Sequence, residues 1–184
     1  CHVPWGNTHE ESLLLIKKND FISGQYVWTG FDYIGEPTPY GWPARSSYFG
    51  IVDLAGFPKD VYYLYQSEWT DKQVLHLFPH WNWKEGERVD IWAYYNNADE
   101  VELYLNGKSL GVRQKTDSTY HVSWRVPFTP GTLRAVSRLG GKEVLVKEIH
   151  TAGEPARLVL TPDRSVIQAD GSDLSFAVSY THLR

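Results

Sequence analysis

The sequence predicts a mixed fold: an α/β segment, then an immunoglobulin-like β-sandwich, then the opening of a second β module. Three observations predict it. Near the start a helix, a short link and a buried strand follow one another, the rhythm of an α/β barrel or a doubly wound sheet. After Trp69 the hydropathy changes to period two, with seven short strands in about eighty residues. Gly153-Glu154-Pro155 then reads as a linker, beyond which new short apolar runs begin. The expected units are residues 1–69, 71–152 and 156–184.

Residues 8–19 read as a helix, because Thr8 and Glu11 stand at capping-box spacing before Leu13, Leu14, Leu15 and Ile16, with Lys17 and Lys18 in the last turn. Its two leucine faces predict a helix largely covered by neighbours. Residues 21–28 read as a buried strand, carrying Ile22, Tyr26, Val27 and Trp28 around Gly24. Residues 29–57 show no helical period and are punctuated by glycine and proline; a loop of this length within a compact domain is uncommon and usually functional. Its rings, among them Phe31, Tyr33, Tyr40, Trp42, Tyr48 and Phe49, argue for order. A second helix is expected from Pro58 to about Trp69, with Val61, Leu64, Tyr65 and Trp69 on one face.

The period-two strands are expected at residues 74–78, 88–95, 101–105, 109–114, 120–126, 133–139 and 142–149. Asn106-Gly107 is a two-residue hairpin signal, since both central positions of a type I′ turn need positive φ, and Gly140-Gly141 repeats it. The last module is expected to open with strands at 158–160, 165–167 and 174–178. Ser179 to Arg184 does not continue the alternation.

Composition narrows the function. The formal charge is −4 and the 18 Lys and Arg are dispersed, so no basic block follows a phosphate backbone and no nucleic-acid partner is expected. One cysteine rules out an intrachain disulfide framework and a cysteine metal cluster, and no apolar run is long enough to span a bilayer. No pattern calls for a cofactor. Methionine is absent, so Cys1 is expected to be a cut point. The surplus of 8 Trp and 12 Tyr suits both core packing and sugar binding.

Glycosidic cleavage needs two carboxyl groups facing each other across the sugar. Asp32, Glu36 and Asp53 are the acidic residues of the long loop, and they read as loop-structuring groups, not as that pair. His9-Glu10 is half of a His-Glu-x-x-His metal motif, but Leu13 stands where the second histidine belongs. Cys1 has no neighbouring base and is assigned no nucleophilic role.

The run GQYVWTGFDYIGEPTPY at residues 24–40 resembles the eighth strand and following loop of the catalytic barrel in glycoside hydrolase family 2, especially its β-galactosidase branch. SSYFGIVDLAGFPKD at 46–60 continues the likeness, and VELYLNGKSLG at 101–111 resembles the sandwich that follows that barrel, so the resemblance covers residues 2–150. It implies that residues 1–69 are the C-terminal piece of a (β/α)8 TIM barrel, packed against the remainder of that barrel, in a retaining enzyme acting on terminal β-galactosides. The family's acid/base follows the fourth barrel strand and its nucleophile ends the seventh, so both are expected before Cys1 and neither is expected in this chain.

The resemblance also carries Trp28 over as the apolar wall of the sugar subsite; the alternative for that indole is core packing. Asp32 is a candidate acceptor for sugar hydroxyls, and Tyr40 and Arg45, with Trp42, are candidates to shape the mouth. Arg45 could instead pair with Glu36 or Asp53. Glucuronidases of the family place an Asn-x-Lys pair just before the Gly-Ile step, where this chain has Ser46, Ser47, Tyr48 and Phe49. A sugar carboxylate desolvated there would lack a cation, which favours a neutral sugar. The rival reading is a non-catalytic carbohydrate-binding or scaffolding module built on the sandwich.

Overall fold

The computed structural model describes residues 6–183. Helix α1 spans His9–Lys17, and its capping box forms in both directions: Thr8 Oγ1 accepts from the Glu11 N–H at 3.2 Å and Glu11 Oε2 accepts from the Thr8 N–H at 2.8 Å. Helix α2 spans Asp60–Trp69, so Pro58 and Lys59 precede its first turn. The expected broad covering of α1 does not occur. Leu13 is its buried residue, whereas Leu15 is half-exposed.

The expected buried strand at 21–28 is also corrected. These residues form no ladder, and Phe21, Tyr26 and Trp28 are 86%, 104% and 73% exposed. Among the described residues no strand lies beside them, so the apolar side chains that read as a buried strand have no sheet to enter. Val27 is the exception and packs on the cluster of Leu13, Leu64 and Tyr65.

Residues 29–57 are ordered by scattered backbone pairs instead of a regular ladder. Thr29 exchanges bonds with Phe49 and Ile51, at 3.1 and 3.0 Å, and Asp32 and Gly30 bond Val52 at 2.9 and 3.0 Å. Bridges at Phe31–Val52 and Ile34–Ser46 close the loop on itself. Gly50 stands at the tightest point. A Cβ there would meet the Asp32 nitrogen at 2.1 Å and the Phe31 carbonyl carbon at 2.3 Å, so only glycine fits.

The seven period-two strands form as expected within one or two residues: β1 Leu75–Phe78, β2 Arg88–Tyr95, β3 Glu100–Leu105, β4 Lys108–Arg113, β5 His121–Pro127, β6 Thr132–Leu139 and β7 Lys142–His150. They make two sheets, ordered β1-β2-β5 and β4-β3-β6-β7. This is an immunoglobulin-like sandwich whose fourth strand pairs with the third instead of the fifth. Both hairpin signals are realised, with φ of 50° and 81° at Asn106 and Gly107 and of 56° and 78° at Gly140 and Gly141. Ile91 and Ala93 from one sheet meet Val101, Leu103, Leu133 and Ala135 from the other, all fully buried in one core.

The alternation that fills this core leaves the other face of the three-stranded sheet with His76, Phe78, Trp92, Tyr94 and His121. The helices dock there: Leu13, Leu64, Tyr65, Tyr94 and Tyr120 form a second, smaller core with Val61 and Phe78.

Strands β8 Pro155–Pro162 and β9 Ala177–Leu183 make a two-stranded antiparallel sheet. Several expectations are corrected here. Residues 165–167 are not a strand, the strand expected at 174–178 begins only at Ala177, and Ser179 to Leu183 do continue it, because β8 supplies their backbone partners. Pro155, expected in the linker, already belongs to β8. Leu158 and Leu160 remain largely exposed.

These burial differences set a testable contrast. Leu103→Ala opens a void between the sheets and is expected to cost about 2–5 kcal/mol, whereas Leu160→Ala is expected to change stability by less than about 0.5 kcal/mol. Urea denaturation followed by tryptophan fluorescence measures both.

Candidate functional site

A cleft of about 620 Å³ opens where the N-terminal ends of both helices, the long loop and strand β2 converge; Trp28, Tyr40, Tyr48, Phe49, Lys59 and Trp92 are among its walls. Trp28 meets Tyr33 edge-on, centroids 6.3 Å apart at 84°, which orients the indole while leaving most of its surface open. Tyr40 meets Tyr48 edge-on at 5.0 Å and 86°. Two expected site residues, Trp28 and Tyr40, therefore share one cleft.

The other two lie elsewhere. Asp32 is 7% exposed and its carboxylate turns into the loop, where Oδ1 accepts the Gly50 N–H at 2.8 Å and pairs with Lys59 Nζ at 2.7 Å. Lys59 Nζ also donates to the Tyr48 carbonyl at 3.1 Å, tying this pair to the cleft wall. Arg45 holds its guanidinium 4.6 Å from the Trp42 ring centroid, outside the cleft lining. Glu36 and Asp53, the alternative partners of Arg45, are used locally: Glu36 accepts from the Tyr33 hydroxyl at 2.5 Å, and Asp53 Oδ1 accepts from the Ala55 and Phe57 N–H groups.

The start of α2 joins the loop to the sandwich. Lys59, the N-cap residue, reaches Asp32, and the next residue, Asp60, reaches His76 of β1 at 2.8 Å. His76 stacks on Tyr63 at 3.8 Å and 10°. At α1 the matching tie is Glu10, whose carboxylate accepts from the Tyr94 hydroxyl at 3.1 Å and pairs with His121 at 2.8 Å. His121 in turn stacks on Trp92 at 3.7 Å and 7°. Burial, then the charge of Glu10, pushes the Tyr94 phenol far above its ordinary pKa, so it stays a neutral donor. Burial also lowers the pKa of His9, which bonds the Tyr65 hydroxyl at 2.7 Å.

The cleft's carboxylates, Glu10 and Asp60, are each held on a histidine, Glu10 on His121 and Asp60 on His76. Among the described residues no group of three or more His, Cys, Asp or Glu could hold a metal ion. Sequence reasoning missed Lys59, Glu10, Trp92 and Tyr94 as cleft residues. Adjacent Lys59 and Asp60 at a helix start were the visible signal, but their partners lie 27 and 16 residues away in opposite directions.

A family described as a domain of unknown function, DUF4982, matches residues 86–145, most of the sandwich. Over 176 residues the chain is 74% identical to Beta-galactosidase BoGH2A of Bacteroides ovatus, covering 96% of this chain and 21% of that protein. The solved structure of a glycosyl hydrolase family 2 member from Bacteroides cellulosilyticus superposes with a TM-score of 0.73 at 30% identity, covering 92% of this chain and 27% of that one. Beta-glucuronidase 3 of Bacteroides uniformis gives a TM-score of 0.61 at 28% identity, covering 88% and 22%. The chain thus spans about a fifth to a quarter of the length of the proteins it matches.

The buried Asp32–Lys59 pair gives the next prediction. Lys59→Met strips a buried carboxylate of its cation and is expected to cost about 1–3 kcal/mol and to speed proteolytic cleavage within residues 29–57. Asp32→Asn, which keeps an acceptor for Gly50, is expected to do less. Thermal melts and limited proteolysis followed by mass spectrometry separate the two.

Proposed function

Because the chain belongs to glycoside hydrolase family 2, we propose that the protein carrying it hydrolyses terminal β-galactosides with retention of configuration. Residues 1–69 are then the C-terminal piece of its catalytic barrel, in which residues 21–28 occupy the place of the eighth strand and find a ladder only beside the remainder of that barrel; residues 71–152 are the sandwich that follows, and residues 156–184 the opening of a further β module. The observation that carries this reading is Trp28: 73% exposed, propped by Tyr33, and sharing a cleft with Tyr40. An indole left open in this way matches the C–H face of galactose, a contact worth roughly 0.5–1.5 kcal/mol beyond area burial.

A retaining mechanism needs one carboxyl group to protonate the leaving oxygen and a second to attack the anomeric carbon, about 5–5.5 Å apart. In this reading both glutamates come from the remainder of the protein, and this chain binds and orients. Asp32 then serves the sugar indirectly, by holding the loop that bears Tyr40 and Tyr48. The preference for galactose over a glucuronide is supported by the uncharged run Ser46, Ser47, Tyr48 and Phe49, which stands where a glucuronidase of the family places its Asn-x-Lys pair for the sugar carboxylate. It is also supported by the β-galactosidase name of the 74% identical relative.

The test compares the isolated chain with the protein that includes its remainder. The whole protein is expected to release an aryl aglycone from a β-galactoside, and the 184-residue chain alone to release none. In the whole protein, Trp28→Ala is expected to lower kcat/KM by roughly 2- to 12-fold with the melting temperature unchanged. Unaltered kcat/KM in the folded variant would return Trp28 to a packing role, and sugar binding without hydrolysis by the whole protein would favour the binding-module reading.

A further inference from the structure

The Asn106-Gly107 turn does more than reverse the chain between β3 and β4. With φ held at 50° and 81° in these two residues, the asparagine side chain reaches across to the loop between β5 and β6. Its Oδ1 accepts from the Thr132 N–H at 2.8 Å, and its Nδ2 donates to the Pro130 carbonyl at 3.1 Å. The Asn106 N–H also donates to the Thr132 carbonyl at 2.9 Å, so backbone and side chain together clamp the two loops. The fit is close: a Cβ on Gly131 would stand 1.8 Å from Asn106 Oδ1 and 2.5 Å from its Cγ. Asn106 and Gly107 are nevertheless exposed to water.

An asparagine followed by glycine carries a reaction in its own backbone, because glycine has no side chain to shield its amide nitrogen. That nitrogen, having given its proton to water, attacks Asn106 Cγ. The new N–C bond forms, the Cγ–Nδ2 bond breaks, and Nδ2 leaves as ammonia with a proton returned from water. One water molecule then opens the succinimide ring. Opening at Cγ gives aspartate, and opening at the main-chain carbonyl gives isoaspartate, in which the chain runs through the side-chain carbon. The sum is amide plus water to carboxylate plus ammonium, with no oxidant or reductant.

We propose that Asn106 is a deamidation site held in check by the fold, and that its conversion dismantles the clamp on the β5–β6 loop. Ring closure requires Cγ to swing onto the Gly107 nitrogen, whereas the two side-chain bonds hold Oδ1 and Nδ2 against Thr132 and Pro130. The reaction therefore waits for the hairpin to open, and its rate follows the open fraction. Neither product remakes the clamp. Aspartate sets a carboxylate oxygen with no hydrogen to donate where Nδ2 faces the Pro130 carbonyl, leaving two acceptors in contact. Isoaspartate adds a backbone atom to a two-residue turn whose pairing of Leu105 with Lys108 leaves no place for it. The hairpin thus turns a transient opening into a permanent loss of stability.

Tryptic cleavage after Arg88 and Lys108 puts Asn96, Asn97 and Asn106 in one peptide, so mass spectrometry reads the three sites together. The chain is aged at one pH and temperature, folded and in urea. In urea Asn106 is expected to react roughly tenfold or more faster than Asn96 and Asn97. In the folded chain it is expected to react roughly tenfold or more slower than in urea. Gly131→Ala, whose Cβ displaces the Asn106 side chain, is expected to narrow that difference while leaving the rate in urea within about twofold. Asn106→Asp is expected to lower the melting temperature by about 2–8 °C. Equal rates at Asn106 in the folded chain and in urea would overturn the protection, and a rate in urea no greater than at Asn96 and Asn97 would overturn the site. An Asn106→Asp chain that melts with the wild type would overturn the loss of the clamp. Should Gly131→Ala fail to fold, the wild-type comparison and Asn106→Asp decide between these outcomes.

Discussion

Lys59 and Asp60, neighbours at the start of α2, send their charges in opposite directions, and the geometry of the N-terminal half follows from that divergence. Lys59 answers the buried Asp32 carboxylate inside the loop, and Asp60 answers His76 on the sandwich. A carboxylate as enclosed as Asp32 is costly unless paired, so the loop must close around the lysine wherever α2 places it. Gly50 makes the closure sterically possible, because its missing side chain lets the two halves of the loop touch along their backbones. The position of α2 is set in turn by the small core it shares with α1 and the sandwich.

The sandwich uses its two outer faces in opposite ways. On the three-stranded sheet the outward positions carry rings: Phe78, Trp92, Tyr94, and the stacked His76 and His121. That face is an interface, and its polar ties, Glu10 to His121 and Asp60 to His76, come from the first turns of the two helices. On the four-stranded sheet the outward positions carry charge. Glu102 takes bonds from Ser109 and Tyr104 and an ion pair from Arg138, which together hold its carboxyl below the usual range, and Arg134 lies over the Tyr104 ring. Such a network is at home in water, so this sheet closes the core without requiring a partner.

The cleft offers rings fixed by other rings, Trp28 by Tyr33 and Tyr40 by Tyr48. Its carboxylates, Glu10 and Asp60, are engaged by His121 and His76. The sandwich takes part through Trp92 and Tyr94, which reach the same cleft from β2. The sandwich therefore helps to frame the cleft, because α1 and α2 are tied to it at their N-terminal ends.

Local signals were sufficient wherever a structure satisfies itself locally. The capping box of α1, the two positive-φ hairpins and the seven period-two strands are all legible in the sequence, since each depends on neighbours a few residues apart or on a face that alternates with the pleat. A long motif singled out Trp28 and Tyr40, and the fold brings both to the wall of one cleft. What the sequence could not decide was where side chains with distant partners would turn. Asp32 and Arg45 have the chemistry of ligand-binding groups, yet Lys59 and Gly50 draw the first into the loop and Trp42 takes up the second. Residues 21–28 have the composition of a buried strand, but strand formation needs an adjacent backbone, and among the described residues none lies beside them. Whether β9 would reach Leu183 depended likewise on β8, not on its own alternation. Propensity and periodicity reside in the chain, whereas the pairing of a buried charge or a strand edge belongs to whichever partner the tertiary fold brings within reach.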